Sequence, residues 1–136
     1  MRLAYRSSAP LTSLASSLPA AVSILENLPS STLGHTFLIG GAQLYSHALA
    51  TPSSLYTADR ILLTRVKSEY AGDVYFPVLE PSVWTRATHA ELSSWVGFDV
   101  PEGDQVEVDR NDKGKREVTY EFQMWVRGHS GTAARS

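Results

Sequence analysis

The chain of 136 residues contains no cysteine, which excludes disulfide bonds, zinc-thiolate sites and a cysteine nucleophile. It also lacks a surplus of positive charge, since 12 basic and 14 acidic residues give a formal net charge of −2. Nucleic-acid and membrane-surface roles usually need a basic patch, so we expect neither partner. The four histidines, at positions 35, 47, 89 and 129, have no metal-ligand spacing. We therefore expect no metal site.

The amino-terminal segment has two interpretations. Its two arginines, six serines and lack of an acidic residue before position 26 are typical of a mitochondrial transit peptide. The alternative, which we favour, places Leu3–Tyr5 in a strand and starts a helix at an Ser17 cap, with Pro19 in its first turn and Pro29 ending it. No long apolar stretch of the secretory type is present in this segment.

The stretch "HTFLIGGAQLYSHALA" predicts a strand that meets a helix with almost no loop. His35–Ile39 is an apolar run, and apolar residues recur at helical spacing from Ala42 onward. The first N–H groups of such a helix have no backbone partner and favour an anion, and glycine allows that anion close to the backbone. The stretch matches neither the dinucleotide fingerprint nor the phosphate loop. On these residues alone, a tight turn that binds no ligand remains an alternative interpretation.

The rest of the chain predicts one α/β domain. "RILLTRV" is apolar enough for a central strand, parallel to His35–Ile39 across the helix. "SVWTRATHA" and "REVTYEFQMWVR" predict strands that form an antiparallel hairpin, and "PEGDQVEVDRNDKGK" between them predicts an exposed connection. Arg65 and Lys67 are most simply solvated. We expect the domain to span residues 1–128 and residues 129–136 to form a disordered tail.

Taken in order, "FLIGGAQLY", "DRILLTRV", "AGDVYFP", a tryptophan strand and "YEFQMWVRG" resemble the carboxyl-terminal half of dihydrofolate reductase, in a fungal form. The resemblance runs from about Leu3 to Gly128. It implies an incomplete dihydrofolate-reductase-like sheet, with parallel strands, crossover helices and a carboxyl-terminal antiparallel hairpin. The reductase domain of riboflavin biosynthesis shares the fold and a glycine pair, and is an alternative.

The resemblance implies NADPH as cofactor and assigns residues to it. Gly40 and Gly41 would be joined by a cis peptide. The amides that follow would face the cofactor diphosphate, and Tyr45 would lie against the nicotinamide. Arg6 and Ser7 occupy the place where the family grips the 2′-phosphate. The cofactor-binding residues implied are therefore Arg6, Ser7, Ile39, Gly40, Gly41, Ala42, Gln43, Leu44 and Tyr45.

Dihydrofolate is the substrate that the resemblance implies. Ile39 would line the wall where pterin and nicotinamide meet, and Thr64 would bond the pterin end through the catalytic carboxylate and water. Gly72 and Asp73 match the loop that braces the mobile lid. Without the resemblance, Ile39, Tyr45 and Thr64 are ordinary core or strand residues and Asp73 an ordinary turn residue.

The family's front half, with its lid loop and the helix that carries the active-site carboxylate, has no counterpart in these residues. We therefore assign no catalytic residue and expect a truncated reductase, inactive alone and monomeric once completed. A non-catalytic nucleotide-binding fragment and a structural remnant without ligand are the alternatives. The expected location is cytoplasmic, with mitochondrial import as the other interpretation.

Overall fold

The computed structural model describes residues 12–29, 31, 34–50, 56–108 and 116–128. The chain divides into two compact units, Met1–Thr57 and Ala58–Ser136. Leu3–Tyr5, Arg6, Ser7 and the predicted tail lie outside the described residues.

The first unit contains two helices. Helix α1 spans Leu18–Glu26, and the Ser17 side chain accepts a hydrogen bond from the Ala20 amide, as the serine and the early proline predict. The helix ends at an Asn27 cap rather than at Pro29, because the Asn27 amide bonds back to Leu25 and closes the last turn. Helix α2 spans Ala42–Ala50 and begins where the sequence predicts.

The strand predicted over His35–Ile39 is wrong in this structure. Residues 34–41 are in neither helix nor strand, and Phe37 and Ile39 are 60% and 90% exposed. The predicted parallel pairing with "RILLTRV" is not among the three described ladders, which are all antiparallel and all involve the strand of residues 117–127. An apolar run forms a strand only where a neighbour supplies the hydrogen-bond ladder.

The second unit is built on one long strand. Strand β4, Glu117–Arg127, forms antiparallel ladders with three strands, each over part of its length. These are β1, Arg60–Val66, β2, Trp84–Arg86, and β3, Gln105–Val108. The order is β1-β4-β2, with β3 also on β4. Strand β1 therefore lies at the edge of the described sheet and not at its centre as predicted. The eleven residues of β4, with their alternating pattern, are what allow it to hold three partners.

Helix α3, His89–Val96, falls where the sequence predicted the end of a strand. Thr88 accepts a bond from the Glu91 amide and Glu91 accepts one from the Thr88 amide, which is a complete capping box. The signal T-x-x-E in "THAE" could have revealed this helix. The predicted connection likewise contains strand β3, which forms the antiparallel hairpin with β4.

The core of the second unit lies between α3 and β4. Leu92, Val100 and Met124 form it, at 5%, 8% and 3% exposure, and Trp95 packs against them. Trp84 of β2 is also buried, at 5% exposure.

Candidate functional site

The glycine pair of the first unit forms the junction that the resemblance implies. The peptide between Gly40 and Gly41 is cis, and Gly40 has φ of +107°. The Tyr45 amide donates to the Gly41 carbonyl at 3.0 Å, which is the first backbone bond of α2. The amides of Ala42, Gln43 and Leu44 precede that bond and so have no carbonyl one turn back. They form a row of donors directly after two glycines.

The electrostatics at this end of α2 favour an anion. The first turn of α2 carries no acidic side chain, and its last turn carries the basic residue His47. The positive end of the helix dipole is therefore not offset by a carboxylate of the same turn. A phosphate group fits both the charge and the donor row.

The two glycines differ in the space around them. A β-carbon at position 41 would meet no atom within 4 Å, so this side of the backbone is open. A β-carbon at position 40 would stand 3.1 Å from Oη of Tyr45. The Tyr45 side chain thus lies over Gly40, at the entry to α2. Gly40, Gly41, Ala42, Gln43, Leu44 and Tyr45 are one continuous stretch, and Ile39 precedes it with its side chain exposed.

Thr64 belongs to the second unit, on strand β1. It pairs with Phe122 of β4, and both are exposed. Because side chains alternate along a strand, Leu62 and Thr64 share one face with Phe122 and Met124. That face borders a groove of about 320 Å³, lined by Leu62, Leu63, Thr64, Leu92, Val96, Phe98, Val100, Pro101, Phe122 and Gln123. The wall from α3 and the segment after it was not predicted from the sequence.

The groove is apolar apart from Thr64 and Gln123, and its lining contains no carboxylate. Gln123 is already engaged, since its amide nitrogen donates to Glu121 and its oxygen accepts from Trp125. The Thr64 hydroxyl is therefore the polar group that this groove offers a ligand. No group of acidic or histidine side chains in the described part of the chain could hold a metal ion.

Glu121, next to the groove residue Phe122, is held in an ion-pair network. Arg86 Nη2 lies 3.0 Å and Lys67 Nζ lies 3.6 Å from its carboxylate oxygens, and the side chain is 12% exposed. Hydrogen bonds from Gln123 and then Arg86 hold the pKa of Glu121 below its ordinary value. Lys67 is exposed, as predicted, and it also pairs with Asp104 at 2.5 Å, which the sequence did not predict.

The segment of Gly72 and Asp73 forms a bend without helix or strand. Tyr75 Oη donates to the Gly72 carbonyl at 2.8 Å, which closes it. No helix within the described ranges has the length and apolar character needed to cross a membrane.

The fold and this geometry define an α/β protein in which a helix starts directly after a cis glycine pair. The sequence profile of the dihydrofolate reductase family matches residues 5–95. Dihydrofolate reductase of Pneumocystis carinii is 38% identical over 100 residues, covering 70% of this chain and 43% of that protein. The enzyme of Schizosaccharomyces pombe is 38% identical over 95 residues, covering 68% and 19%. That of Cryptococcus neoformans is 35% identical over 134 residues, covering 80% and 54%.

The chain belongs to the dihydrofolate reductase family. It spans about half or less of the length of these three curated relatives. The resemblance on the quoted motifs is confirmed, including its fungal form, and so is the mixed α/β class. The predicted antiparallel pairing of "SVWTRATHA" with "REVTYEFQMWVR" is present as the ladder between β2 and β4.

Proposed function

We propose that this chain supplies the cofactor turn and part of the pterin site of an NADPH-dependent dihydrofolate reductase, which converts 7,8-dihydrofolate to tetrahydrofolate. The observation that carries the proposal is the junction of Gly40, Gly41 and α2, in a chain that the family profile matches. Its donor row, its open side and the absence of an acid in the first turn of α2 fit a diphosphate.

The cofactor roles follow from positions along this stretch. The amides from Gly41 through Leu44 would bind the diphosphate, while Ile39 and Tyr45 would border the nicotinamide. Arg6 and Ser7 would bind the 2′-phosphate. Bound NADPH supplies a hydride from its nicotinamide ring. The exposure of Ile39, at 90%, supports a role as a contact surface rather than as a core residue of this unit.

On the substrate side, Thr64 would bond the pterin end through a carboxylate and water. Thr64 is exposed and lines the apolar groove, which supports this role. Reduction also needs a proton at N5 of the pterin, and a carboxylate normally raises the readiness to accept it. The groove lining contains no carboxylate, and the neighbouring Glu121 carboxylate is engaged by Gln123 and Arg86, whose hydrogen bonds lower its pKa. We therefore propose that the 136 residues alone do not turn over dihydrofolate.

A second candidate function is that of a non-catalytic nucleotide-binding fragment, which the same lack of a groove carboxylate favours. Cytoplasmic location, a monomeric state once completed, and mitochondrial import as the alternative location belong to the main proposal.

The test is a fluorescence titration of the 136-residue chain with NADPH. We expect weak binding, poorer than low micromolar, and still weaker binding by Gly41→Ala, because a methyl group there blocks the approach of phosphate. Gly34→Ala is the matched control, since a β-carbon at that position also meets nothing within 4 Å. Equal affinity of the two variants would leave the turn without a ligand-binding role.

A further inference from the structure

Strand β4 has one edge that is only partly paired. The Lys67 amide donates to the Thr119 carbonyl at 2.7 Å, which fixes the alternation along the ladder with β1. Backbone groups alternate between the two edges of a strand, so those of Glu121 point to β1 and those of Phe122 and Met124 point to the opposite edge. That opposite edge is the one on which β2 and β3 pair.

Three residues of β4 have no strand opposite them on that edge. The β3 ladder stops at the pair Gln105 and Tyr120, and the β2 ladder stops at the pair Arg86 and Trp125. One further bond, from the Ala87 amide to the Met124 carbonyl at 2.9 Å, extends β2. We call the stretch opposite residues 121–123 the β4 gap.

The β4 gap presents three free backbone groups. Within the described ranges, the N–H and C=O of Phe122 and the N–H of Met124 have no hydrogen-bond partner. Met124 is only 3% exposed, so an unmatched amide there is costly unless something accepts from it. In order along the edge these groups are a donor, an acceptor and a donor.

A cavity of about 310 Å³ lies at the β4 gap. Ala87, Glu102 and Gly103 line it, together with Phe122 and Met124. The cavity is therefore where a missing ladder partner would stand, and its walls come from both ends of the interrupted ladder.

The charged side chains around the cavity differ in how closely they are paired. Arg86 is paired with Glu121 at 3.0 Å. His89 Nε2 donates to the Val100 carbonyl at 2.6 Å, and its Nδ1 lies 3.9 Å from the Glu102 carboxylate. The Glu102 side chain is 77% exposed. A cationic group on a ligand would gain most from Glu102.

We propose that the β4 gap binds an extended basic peptide segment of about three residues, which completes the ladder by strand addition. Its backbone offers the acceptor, donor and acceptor that Phe122 and Met124 lack, and its lysine or arginine pairs with Glu102. This site is independent of the proposed reductase function and uses none of the cofactor residues.

The test uses the full ¹⁵N-labelled chain and the blocked peptide N-acetyl-Thr-Lys-Thr-amide. Without peptide, the amides of Phe122 and Met124 exchange faster than those of Gln123 and Trp125, which point to β1. At saturation their exchange slows by about tenfold or more. The same peptide methylated on the lysine backbone nitrogen lacks the central donor and gives no such change.

Charge is tested with Glu102→Lys, which weakens peptide binding by about fivefold or more. Glu80→Lys is the control, because it makes the same charge change on the amino-terminal side of β2, outside the cavity lining. It should leave peptide binding unaltered. The proposal is overturned by equal responses to the two peptides, by no response, or by slow exchange at Phe122 and Met124 without peptide. An undispersed amide spectrum overturns it too, since the gap exists only in the folded ladder.

Discussion

Tyr45 lies over Gly40, with its hydroxyl oxygen 3.1 Å from the point where a β-carbon on Gly40 would stand. The Tyr45 side chain, in the first turn of α2, therefore limits the size of the residue that can stand at position 40. Gly40 also has φ of +107°, a backbone conformation that residues with a side chain rarely adopt. The two constraints act on the same position, while Gly41 carries neither.

Gly40→Ala is expected to lower the free energy of unfolding by about 1–3 kcal/mol, because of the positive φ and the contact with Tyr45. Urea unfolding followed by circular dichroism measures it. Gly34→Ala, at an open position, is the control and should change stability little. The double variant Gly40→Ala with Tyr45→Ala relieves only the contact, so it should remain strained at φ. Full stability of Gly40→Ala would contradict the geometry of the junction.

Thr88→Ala is expected to destabilise α3 by about 1 kcal/mol, since it removes the side chain that caps the helix. The loss follows from the bond between Thr88 Oγ1 and the Glu91 amide at 3.2 Å. Thermal unfolding measures it, with Thr85→Ala on the exposed part of β2 as the control. Equal effects of the two changes would show that the capping box adds nothing to the helix.

Acid is expected to weaken the second unit through Glu121. Hydrogen bonds from Gln123 and Arg86 lower the pKa of Glu121 from its ordinary value of 4.5. The stabilising effect of the ionised carboxylate is therefore complete above pH 4.5. The effect is lost as the pH falls through the lowered pKa. The free energy of unfolding, measured against pH, should fall less steeply towards acid pH for Glu121→Gln than for the wild type. For Glu80→Gln it should fall as steeply as for the wild type. Glu91, whose pKa Thr88 also lowers, keeps part of the slope. Identical limbs in all three proteins would refute the role of Glu121.

The sequence predicts what depends on local signals. Ser17 and Pro19 mark the start of α1, the glycine pair marks the start of α2, and the alternation of β4 marks the longest strand. The capping box at Thr88 is equally local, but it lies behind an aromatic and β-branched run that favours a strand.

Pairing is what the sequence leaves undecided. His35–Ile39 has the composition of a buried strand, yet composition does not specify a partner, and the described segment is not in a sheet. Lys67 likewise depends on Asp104, which is 37 positions away in sequence. The groove at Thr64 also needs α3 and the segment after it, so its far wall could not be inferred from β1 alone.

NADPH oxidation at a fixed dihydrofolate concentration tests the proposed role of this chain in a reductase. It is measured with the 136-residue chain alone and with the chain mixed with an amino-terminal portion of the Pneumocystis carinii relative. A missing general acid commonly costs about 10² to 10⁴ in rate, and incomplete positioning costs more. We expect no detectable turnover by the chain alone and measurable turnover by the mixture, reduced by Gly41→Ala and not by Gly34→Ala. Turnover by the chain alone would contradict the proposed role, and so would a mixture that remains inactive.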